Sequence, residues 1–349
     1  MRSTLLTLYL LMLGSAVLTA QGLNVLLVDD SKDGYFNTTA ISAALTAQGY
    51  DHDIYDAVDS VLSPSIDVLE PYDLVIWHTS TDGVGLYLWN TVDENNPDLA
   101  FYLAEGGNLW LIGNDFLYDR YDAPADTFET GDWVYDYLGI EQYDFQSFGD
   151  DGGLGLPFVS PASGQPIAGL GPINWQFPSI YWADAVTPRP EATAIYEMAG
   201  DGYVFAGRPT GVLYDNGTSV CLTFCFDLAL AFDQETLGAV VSPVMSYFSS
   251  ILADVPTLPR SVASLRTYPN PATQWAELTL DLTSSAQVTA EIFALTGQRV
   301  HQLLPPQRLA AGTHQLRWTP GANIPNGLYL CRLTLDGEVL TRSILLQRN

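Results

Sequence analysis

The feature that most constrains the fold is a set of short, largely apolar segments that each end in polar residues. They lie at residues 23–28, 74–77, 108–113 and 219–224. Segments with helical spacing separate the first three, and another, at 235–252, closes the region. Strands that are apolar throughout are buried on both faces, and helical connections place successive strands in parallel. Residues 21–255 are therefore predicted to form an α/β domain of the flavodoxin-like class, with a parallel sheet.

Residues 140–190 interrupt this pattern because they are rich in Gly, Pro and aromatic residues and show little periodicity. We predict an irregular insertion with an edge strand at about 141–145. Its aromatic residues could stack on a sugar, form a protein-binding face, or pack as the insertion's own small core. The aromatic residues in and beside it are Trp133, Tyr135, Tyr137, Tyr143, Phe145, Phe148, Trp175, Phe177, Tyr181 and Trp182.

The pattern of apolar and polar residues changes after a predicted linker at 256–267, which contains Pro256 and Pro259. Apolar and polar residues then alternate in segments separated by Gly, Pro or Asn turns. Alternation with a period of two is typical of strands with one buried face. We expect residues 268–349 to form a small all-β sandwich of the immunoglobulin-like kind.

This last region contains several ordered motifs, and it resembles the type A C-terminal sorting domain of the type IX secretion system. The resemblance implies export to the cell surface or the medium, with the secretion machinery as partner. It also implies removal of the domain and attachment to surface lipopolysaccharide. In relatives the end is usually lysine, whereas this chain has Arg348 followed by Asn349. The residues that carry the resemblance are Pro269, Asn270, Pro271, Gly297, Gly312, Gly327 and Tyr329.

The first domain shows a second resemblance, carried by residues 28–30, 72–77 and 103–109. It is similar to the class I glutamine amidotransferase-like domains of exported bacterial proteins. Active relatives have a Gly-x-Cys-x-Gly turn after a central strand, whereas this chain has Gly113-Asn114-Asp115 at that place. The resemblance therefore implies the fold without the amidotransferase chemistry.

The N-terminal segment has its charged, apolar and small residues in the order that is typical of a secretory signal peptide. Arg2 precedes the apolar run 5–13, and small residues follow up to Ala20. We predict a signal peptide at 1–20 and passage through the periplasm. No later segment is long and apolar enough to predict a membrane span.

Acidic residues are concentrated in the first domain. Residues 21–255 contain 35 Asp and Glu against four Lys and Arg, a net charge of −31, whereas residues 256–349 carry +3. A strongly negative field disfavours nucleic acid and favours cations or basic partners. The three cysteines, Cys221, Cys225 and Cys331, are predicted to be small buried residues, although export permits a disulfide.

Candidate functional residues follow three of the predicted strands. Because ligands bind at the carboxyl ends of parallel strands, we expect these residues to converge in one crevice. Three interpretations remain open at this point. Asp29 and Asp33 have the opening spacing of a calcium loop, although Ala40 occupies the place of its final Glu. His78, Ser80 and Asp115 could serve a hydrolase. Finally, these side chains could simply cap helices and end strands.

The sequence thus predicts an exported bacterial protein whose α/β domain is a non-catalytic binding module. An extracellular hydrolase that uses the crevice at the strand ends is the alternative. No cofactor is predicted other than calcium.

Overall fold

The computed structural model describes residues 23–32, 37–79, 85–89, 95–253, 262–270, 272–294 and 298–348. The predicted signal peptide lies outside these ranges. So do the candidate site and sorting residues Asp33, Ser80, Pro271 and Gly297, and residues 256–261 of the predicted linker. The rest of that predicted linker, residues 262–267, is not a linker but part of a strand, because it pairs with residues 278–282.

Nineteen strands are described, numbered here in chain order. They are β1 (Val25–Asp29), β2 (Asp53–Asp56), β3 (Leu74–His78), β4 (Asn108–Ile112), β5 (Asp126–Thr127), β6 (Ile140–Gln146), β7 (Phe158–Pro161), β8 (Ile173–Asn174), β9 (Asp184–Pro188), β10 (Thr193–Ala199), β11 (Pro209–Asp215), β12 (Val220–Phe224), β13 (Val262–Tyr268), β14 (Ala276–Leu282), β15 (Ala286–Ala294), β16 (Arg299–Leu309), β17 (Gly312–Trp318), β18 (Gly327–Leu335) and β19 (Glu338–Leu346).

Helices connect the strands of the first region. The α-helices are α1 (Asn37–Ala47), α2 (Ala57–Ser60), α3 (Ile66–Leu69), α4 (Pro97–Ala104), α5 (Tyr118–Tyr121) and α6 (Gln234–Ala253). A π-helical turn spans Val134–Leu138, and a 3₁₀ turn spans Leu228–Leu230. None of the helices among the described residues is both long and apolar enough to cross a membrane.

The first region is organised around a nine-stranded mixed sheet in the order β2-β1-β3-β4-β12-β11-β10-β7-β8. The five strands from β2 to β12 are parallel, and those from β12 to β8 pair antiparallel. The predicted parallel sheet therefore describes only one half of the sheet. The antiparallel half comes largely from the insertion and the strands after it, where the sequence shows no strong alternation.

Four of the five parallel strands, β1, β3, β4 and β12, are buried on both faces, whereas the edge strand β2 is exposed or half-buried. Along β1, Val25 and Leu27 pack into one core, whereas Leu26 and Val28 pack into the other. The stripe predicted on α6 (Leu237, Val240, Val241, Val244, Met245 and Phe248) is confirmed, because all six side chains are buried in the first core. The three cysteines are confirmed as free and buried.

The insertion is more ordered than predicted. A strand is present at the predicted place as β6, but the prediction of an edge strand is wrong, because β6 is the central strand of a separate three-stranded antiparallel sheet, between β5 and β9. Strands β7 and β8 extend the main sheet instead. Segments without a strand pattern in the sequence thus form strands because they pair with distant segments. The local sequence does not encode this pairing.

The C-terminal region has a core of its own between two sheets, β13-β14-β17 and β16-β15-β18-β19. Strand β14 alternates strictly between buried and half-buried residues, as the period of two predicts. Trp318 of the first sheet meets Tyr329 of the second edge to face, with ring centroids 5.1 Å apart. The immunoglobulin-like assignment of these sheets stays a prediction.

Two asparagines, Asn270 of the sorting motifs and Asn326 beside Gly327, hold the C-terminal end of the last strand. Asn270 accepts a hydrogen bond from the Leu345 backbone N–H at 2.8 Å and donates to the Ser343 carbonyl at 3.3 Å. Asn326 accepts from the Arg348 N–H and donates to the Arg348 carbonyl, both at 3.0 Å. The motifs therefore have a structural role, since each side chain pairs backbone groups at a sheet edge.

Arg348, the residue that departs from the usual lysine, uses the geometry of its guanidinium. Nη1 donates to the Ile324 carbonyl at 2.9 Å, and Nη2 donates to the carbonyls of Pro320 and Gly321 at 2.8 and 3.0 Å. A planar fork of donors can reach several carbonyls at once, which a single ammonium does less well.

Replacing Asn270 by Ala should open the edge of β19. We expect amide hydrogen exchange at Leu345 in the full-length chain to accelerate by about tenfold, because a net loss of about 1 to 1.5 kcal/mol is typical of such a bond. Asn323→Ala, at an exposed position of the same region, is the matched control and should leave exchange unchanged. Equal exchange rates in the two variants would contradict this role of Asn270.

Candidate functional site

Polar side chains at the carboxyl ends of β1 and β3 meet the loop after β12 in a histidine network, defined as Asp29, Thr38, His78 and Asp227. His78 Nε2 lies 3.0 Å from Asp227 Oδ1, and both side chains are fully buried. His78 Nδ1 lies 2.7 Å from Thr38 Oγ1. Since a carboxylate only accepts hydrogen bonds, His78 Nε2 carries the proton and donates a hydrogen bond to Asp227 Oδ1.

The network continues to β1 through a second carboxylate. Thr38 Oγ1 lies 2.8 Å from Asp29 Oδ1, which also accepts from the Ser31 hydroxyl at 2.7 Å and the Ser31 N–H at 3.0 Å. A continuous path thus runs from carboxylate to hydroxyl to imidazole to carboxylate. It joins β1, α1, β3 and the turn after β12.

Asp227 is the most heavily engaged member of the histidine network. Its Oδ1 also accepts from the Ala229 N–H at 2.8 Å, which caps the 3₁₀ turn, and its Oδ2 accepts from Asn37. Its backbone N–H donates to Asn114 Oδ1 at 2.9 Å. Asn114, directly after β4, is thereby joined to the same network.

Asp30 turns the other way and holds the segment 85–89 against the end of the sheet. It accepts from the N–H groups of Tyr87 and Leu88 at 3.0 and 2.8 Å, and from Trp77 Nε1 at 3.1 Å. Burial raises the pKa of Asp30 to about 6, against the opposing effect of these hydrogen bonds. Asp30 therefore serves to anchor a loop.

Asp115 lies in a different group, the buried acid pair, defined as Asp115 and Asp184. Gln146 bridges them, because its Nε2 donates to Asp115 Oδ1 and lies 3.3 Å from Asp184 Oδ1. Gln146 Nε2 also lies 3.0 Å from the Tyr143 hydroxyl. Two carboxyl groups thus share one amide in a dry environment.

Asp184 is held in its neutral form at neutral pH. Burial raises the pKa of this carboxyl to about 8, and hydrogen bonds from Gln146 and Tyr143 offset only part of that effect. Asp184 is fully buried, and within the described ranges its Oδ2 has no hydrogen-bond partner. A carboxylate with one unpaired buried oxygen is costly, so protonation is the favoured solution.

The structure brings together only some of the residues singled out from the sequence. Asp29 and His78 are joined through Thr38, whereas Asp115 belongs to the separate acid pair. Ser80 and Asp33 lie outside the described residues, so the hydrolase set and the calcium loop each remain predictions. Within the part of the chain that the structure describes, no group of three or more His, Cys, Asp or Glu is placed to hold a metal ion.

Sequence reasoning missed Thr38, Asp184 and Asp227. The sequence could have indicated Asp227 by the rule that indicated Asp29, His78 and Asp115, which is that ligands bind at the carboxyl ends of parallel strands. Asp227 follows β12, the fifth parallel strand. Thr38 lies in the first turn of α1, where the sequence indicates only a helix-capping role. Asp184 gave no signal, since it lies in the insertion where no strand was predicted.

Removing Asp227 should destabilise the whole parallel half of the sheet. Asp227→Ala leaves His78, Asn37 and the Ala229 N–H without their buried acceptor, and breaking a buried pair of this kind costs about 3 to 5 kcal/mol. Urea unfolding of the full chain measures the change. Asp201→Ala, at an exposed turn, is the control and should change stability by less than about 0.5 kcal/mol. A loss below about 1 kcal/mol for Asp227→Ala would contradict the role assigned here.

Asp184 should make the protein less stable as pH rises. Its folded pKa lies above the ordinary value of 3.8, so its stabilising contribution is complete below about pH 4 and is lost as pH rises through about 8. Asp184→Asn mimics the protonated acid and does not titrate. The difference in unfolding free energy, wild type minus variant, should fall by about 1.4 kcal/mol per pH unit between pH 5 and 8. Parallel pH profiles of the two proteins would show that Asp184 is ionised in the folded state.

Comparison with known proteins identifies the C-terminal region. Residues 266–347 match the family model described as secretion system C-terminal sorting domain. A comparison with curated proteins gave no significant match.

The solved structures with similar parts are remote. Dimeric latent PorU from Porphyromonas gingivalis is 22% identical over 24% of this chain and 9% of that chain, with a TM-score of 0.21. A cytoplasmic protein from Salmonella typhimurium LT2 is 13% identical over 65% of this chain and 99% of its own, with a TM-score of 0.40. A β-galactosidase from Halorubrum lacusprofundi is 14% identical over 85% of this chain and 40% of its own, with a TM-score of 0.42. The alignment with PorU spans less than a tenth of that chain.

The sorting-domain resemblance found in the sequence is therefore confirmed, with a start two residues earlier than predicted. Residues 266–347 are a secretion system C-terminal sorting domain, which implies export of the protein by the type IX system to the cell surface or the medium.

Proposed function

We propose that residues 21–255 form a non-catalytic α/β domain that binds a ligand or partner outside the cell, after delivery by the type IX machinery. The observation that supports this most directly is the burial of the histidine network. His78 and Asp227 are fully buried, and both ring nitrogens of His78 engage neighbours within the domain. An imidazole held in this way stabilises the fold and is poorly placed to reach a substrate.

We also propose that the parallel half of the sheet belongs to the flavodoxin-like class and is similar to class I glutamine amidotransferase-like domains. The order β2-β1-β3-β4-β12 supports it, since it is the order of a doubly wound sheet when β12 is counted as the fifth strand. In this resemblance the Cys of Gly-x-Cys-x-Gly corresponds to Asp115, whose side chain is buried and accepts a hydrogen bond from Gln146 Nε2.

An extracellular hydrolase remains the second candidate, because a specific arrangement favours it. His78 lies between a hydroxyl and a carboxylate, as the base of a catalytic triad does. The candidate hydroxyl is that of Thr38, whose side chain is buried and also bonded to Asp29. The geometry of Thr38 thus favours the structural role.

Incubation of the mature full-length chain with starch, xylan and casein tests the choice between binding and hydrolysis. We expect no release of reducing ends or peptides above background. Thr38→Val is the matched variant, since it keeps the shape of the side chain and removes the hydroxyl. Product release by the wild type that falls at least tenfold in Thr38→Val would overturn the non-catalytic proposal.

Deletion of residues 268–349 should block export. We expect the truncated chain to accumulate in the periplasm, with its amount at the surface and in the medium reduced at least tenfold. Cell fractionation with immunoblotting measures this, and the full-length Asp201→Ala variant serves as the exported control. Export of the truncated chain at the normal level would refute the sorting role.

Attachment to lipopolysaccharide after removal of the sorting domain is part of the same proposal. It predicts a cell-surface form of higher and heterogeneous apparent mass on denaturing gels. A single sharp band at the unmodified mass would instead favour release into the medium.

A further inference from the structure

An exposed group of aromatic side chains lies at the carboxyl end of β4. This aromatic platform is defined as Phe148, Tyr181 and Trp182. The Phe148 ring centroid lies 4.3 Å from that of Tyr181 and 5.0 Å from that of Trp182. Phe148 and Trp182 are half-buried, and Tyr181 is 46% exposed. The group is therefore a surface feature, in contrast to the insertion's buried aromatic residues such as Trp175 and Tyr143.

The aromatic platform is fixed to the end of the central strand. Asn114 Nδ2 donates to the Tyr181 carbonyl at 3.0 Å, and the Asp115 N–H donates to the Trp182 carbonyl at 3.3 Å. The Ser147 hydroxyl accepts from the next backbone N–H, that of Ala183, at 2.9 Å. The rings thus sit on a rigid scaffold, at the edge of an α/β sheet where ligands commonly bind.

The backbone beneath the rings is shaped to present them. Phe148 and Trp182 have φ values of 68° and 65°, a region that bulky residues rarely occupy and that costs about 1 to 3 kcal/mol each. Gly155 lies against Tyr181, since a Cβ there would lie 2.6 Å from a ring carbon.

The size of the aromatic platform argues against a protein partner. A fully exposed aromatic side chain offers about 150 to 250 Å² of surface. Tyr181 is about half covered and the other two rings are mostly covered, so together they offer roughly 200 Å², well short of the roughly 800 Å² per partner of a stable protein interface. The footprint suits one or two small rings.

The charge of the domain narrows the ligand class further. Residues 21–255 carry a net charge of −31, which repels sulfated or uronic acid polymers. Asp150, two residues from Phe148, is exposed, and its Oδ2 accepts from the Gln146 N–H at 2.8 Å. Carboxylate oxygens can also accept hydrogen bonds from hydroxyl groups. An uncharged ligand with an apolar ring face and several hydroxyl groups satisfies both conditions.

We propose that the aromatic platform is a carbohydrate-binding site for a neutral glycan, with pyranose rings stacked on Tyr181 and Phe148. This inference rests on the proposed ligand-binding role of residues 21–255 and names its ligand class. The rings provide the stacking surface, and the neighbouring polar groups bond to the sugar hydroxyls.

The test uses the mature full-length chain and purified hexasaccharides. Neutral glucose, xylose and mannose oligomers are titrated by calorimetry, and hexauronates and sulfated oligosaccharides serve as the anionic set. We expect saturable binding of at least one neutral oligomer and none of the anionic set. Tyr181→Ala and Phe148→Ala should each weaken that binding at least tenfold, whereas Tyr181→Phe should retain it within about threefold.

Tyr268→Ala is the matched control, because Tyr268 is 68% exposed and lies in the C-terminal region. It should leave the affinity unchanged. Circular dichroism and the melting temperature establish that each variant is folded, and Tyr181→Phe remains informative if an alanine variant unfolds.

The outcomes separate the two proposals. If folded Tyr181→Ala binds the neutral glycan with unchanged affinity, the aromatic platform is not the binding site. The proposed binding role of the domain then still stands. The same holds if only anionic glycans bind. Absence of binding by every oligosaccharide overturns the inference. Hydrolysis of a bound oligomer, detected by chromatography, would instead contradict the non-catalytic function.

Discussion

The contact on which the first domain most depends is the buried pair of His78 and Asp227. These residues are 149 positions apart in the chain, yet they lie 3.0 Å apart and fully buried. Through Thr38, Asn37 and Asn114 the pair ties α1 and the ends of three parallel strands to the turn after β12. A polar network inside an apolar core is tolerated only when its members find partners, so it specifies one arrangement of these elements.

This dependence explains why the strand ends look like an active site in sequence and behave as a scaffold in structure. The same carboxylates, hydroxyl and imidazole that could perform hydrolysis are used to join strands. The side chains of His78, Thr38 and Asp227 are buried, whereas that of Asp29 is half-buried. Among the described residues, the aromatic platform is an accessible feature of this edge, and Asn114 and Asp115 set its position. The proposed function and the proposed ligand class follow from this division between a buried network and an exposed surface.

The C-terminal sorting domain is held together by a different kind of contact, between side chains and backbone groups. Asn270 and Asn326 bond to backbone groups in and just after the last strand, and Arg348 bonds to carbonyls of the segment before β18. Its mild positive charge beside a strongly acidic first domain marks two electrostatically distinct units. Two small sheets with a core of their own can fold as a unit.

The sequence by itself determined what local pattern encodes. The apolar runs at β1, β3, β4 and β12, the buried stripe of α6, the alternation of β14 and the sorting motifs are all readable, because burial on a strand or helix face imposes a period on the chain. Which residues meet was decided only by the tertiary structure. The antiparallel half of the sheet, the partnership of His78 with Asp227, and the separation of Asp115 from His78 depend on contacts between distant segments. Such contacts leave no local period, since their energy comes from pairing and desolvation in three dimensions.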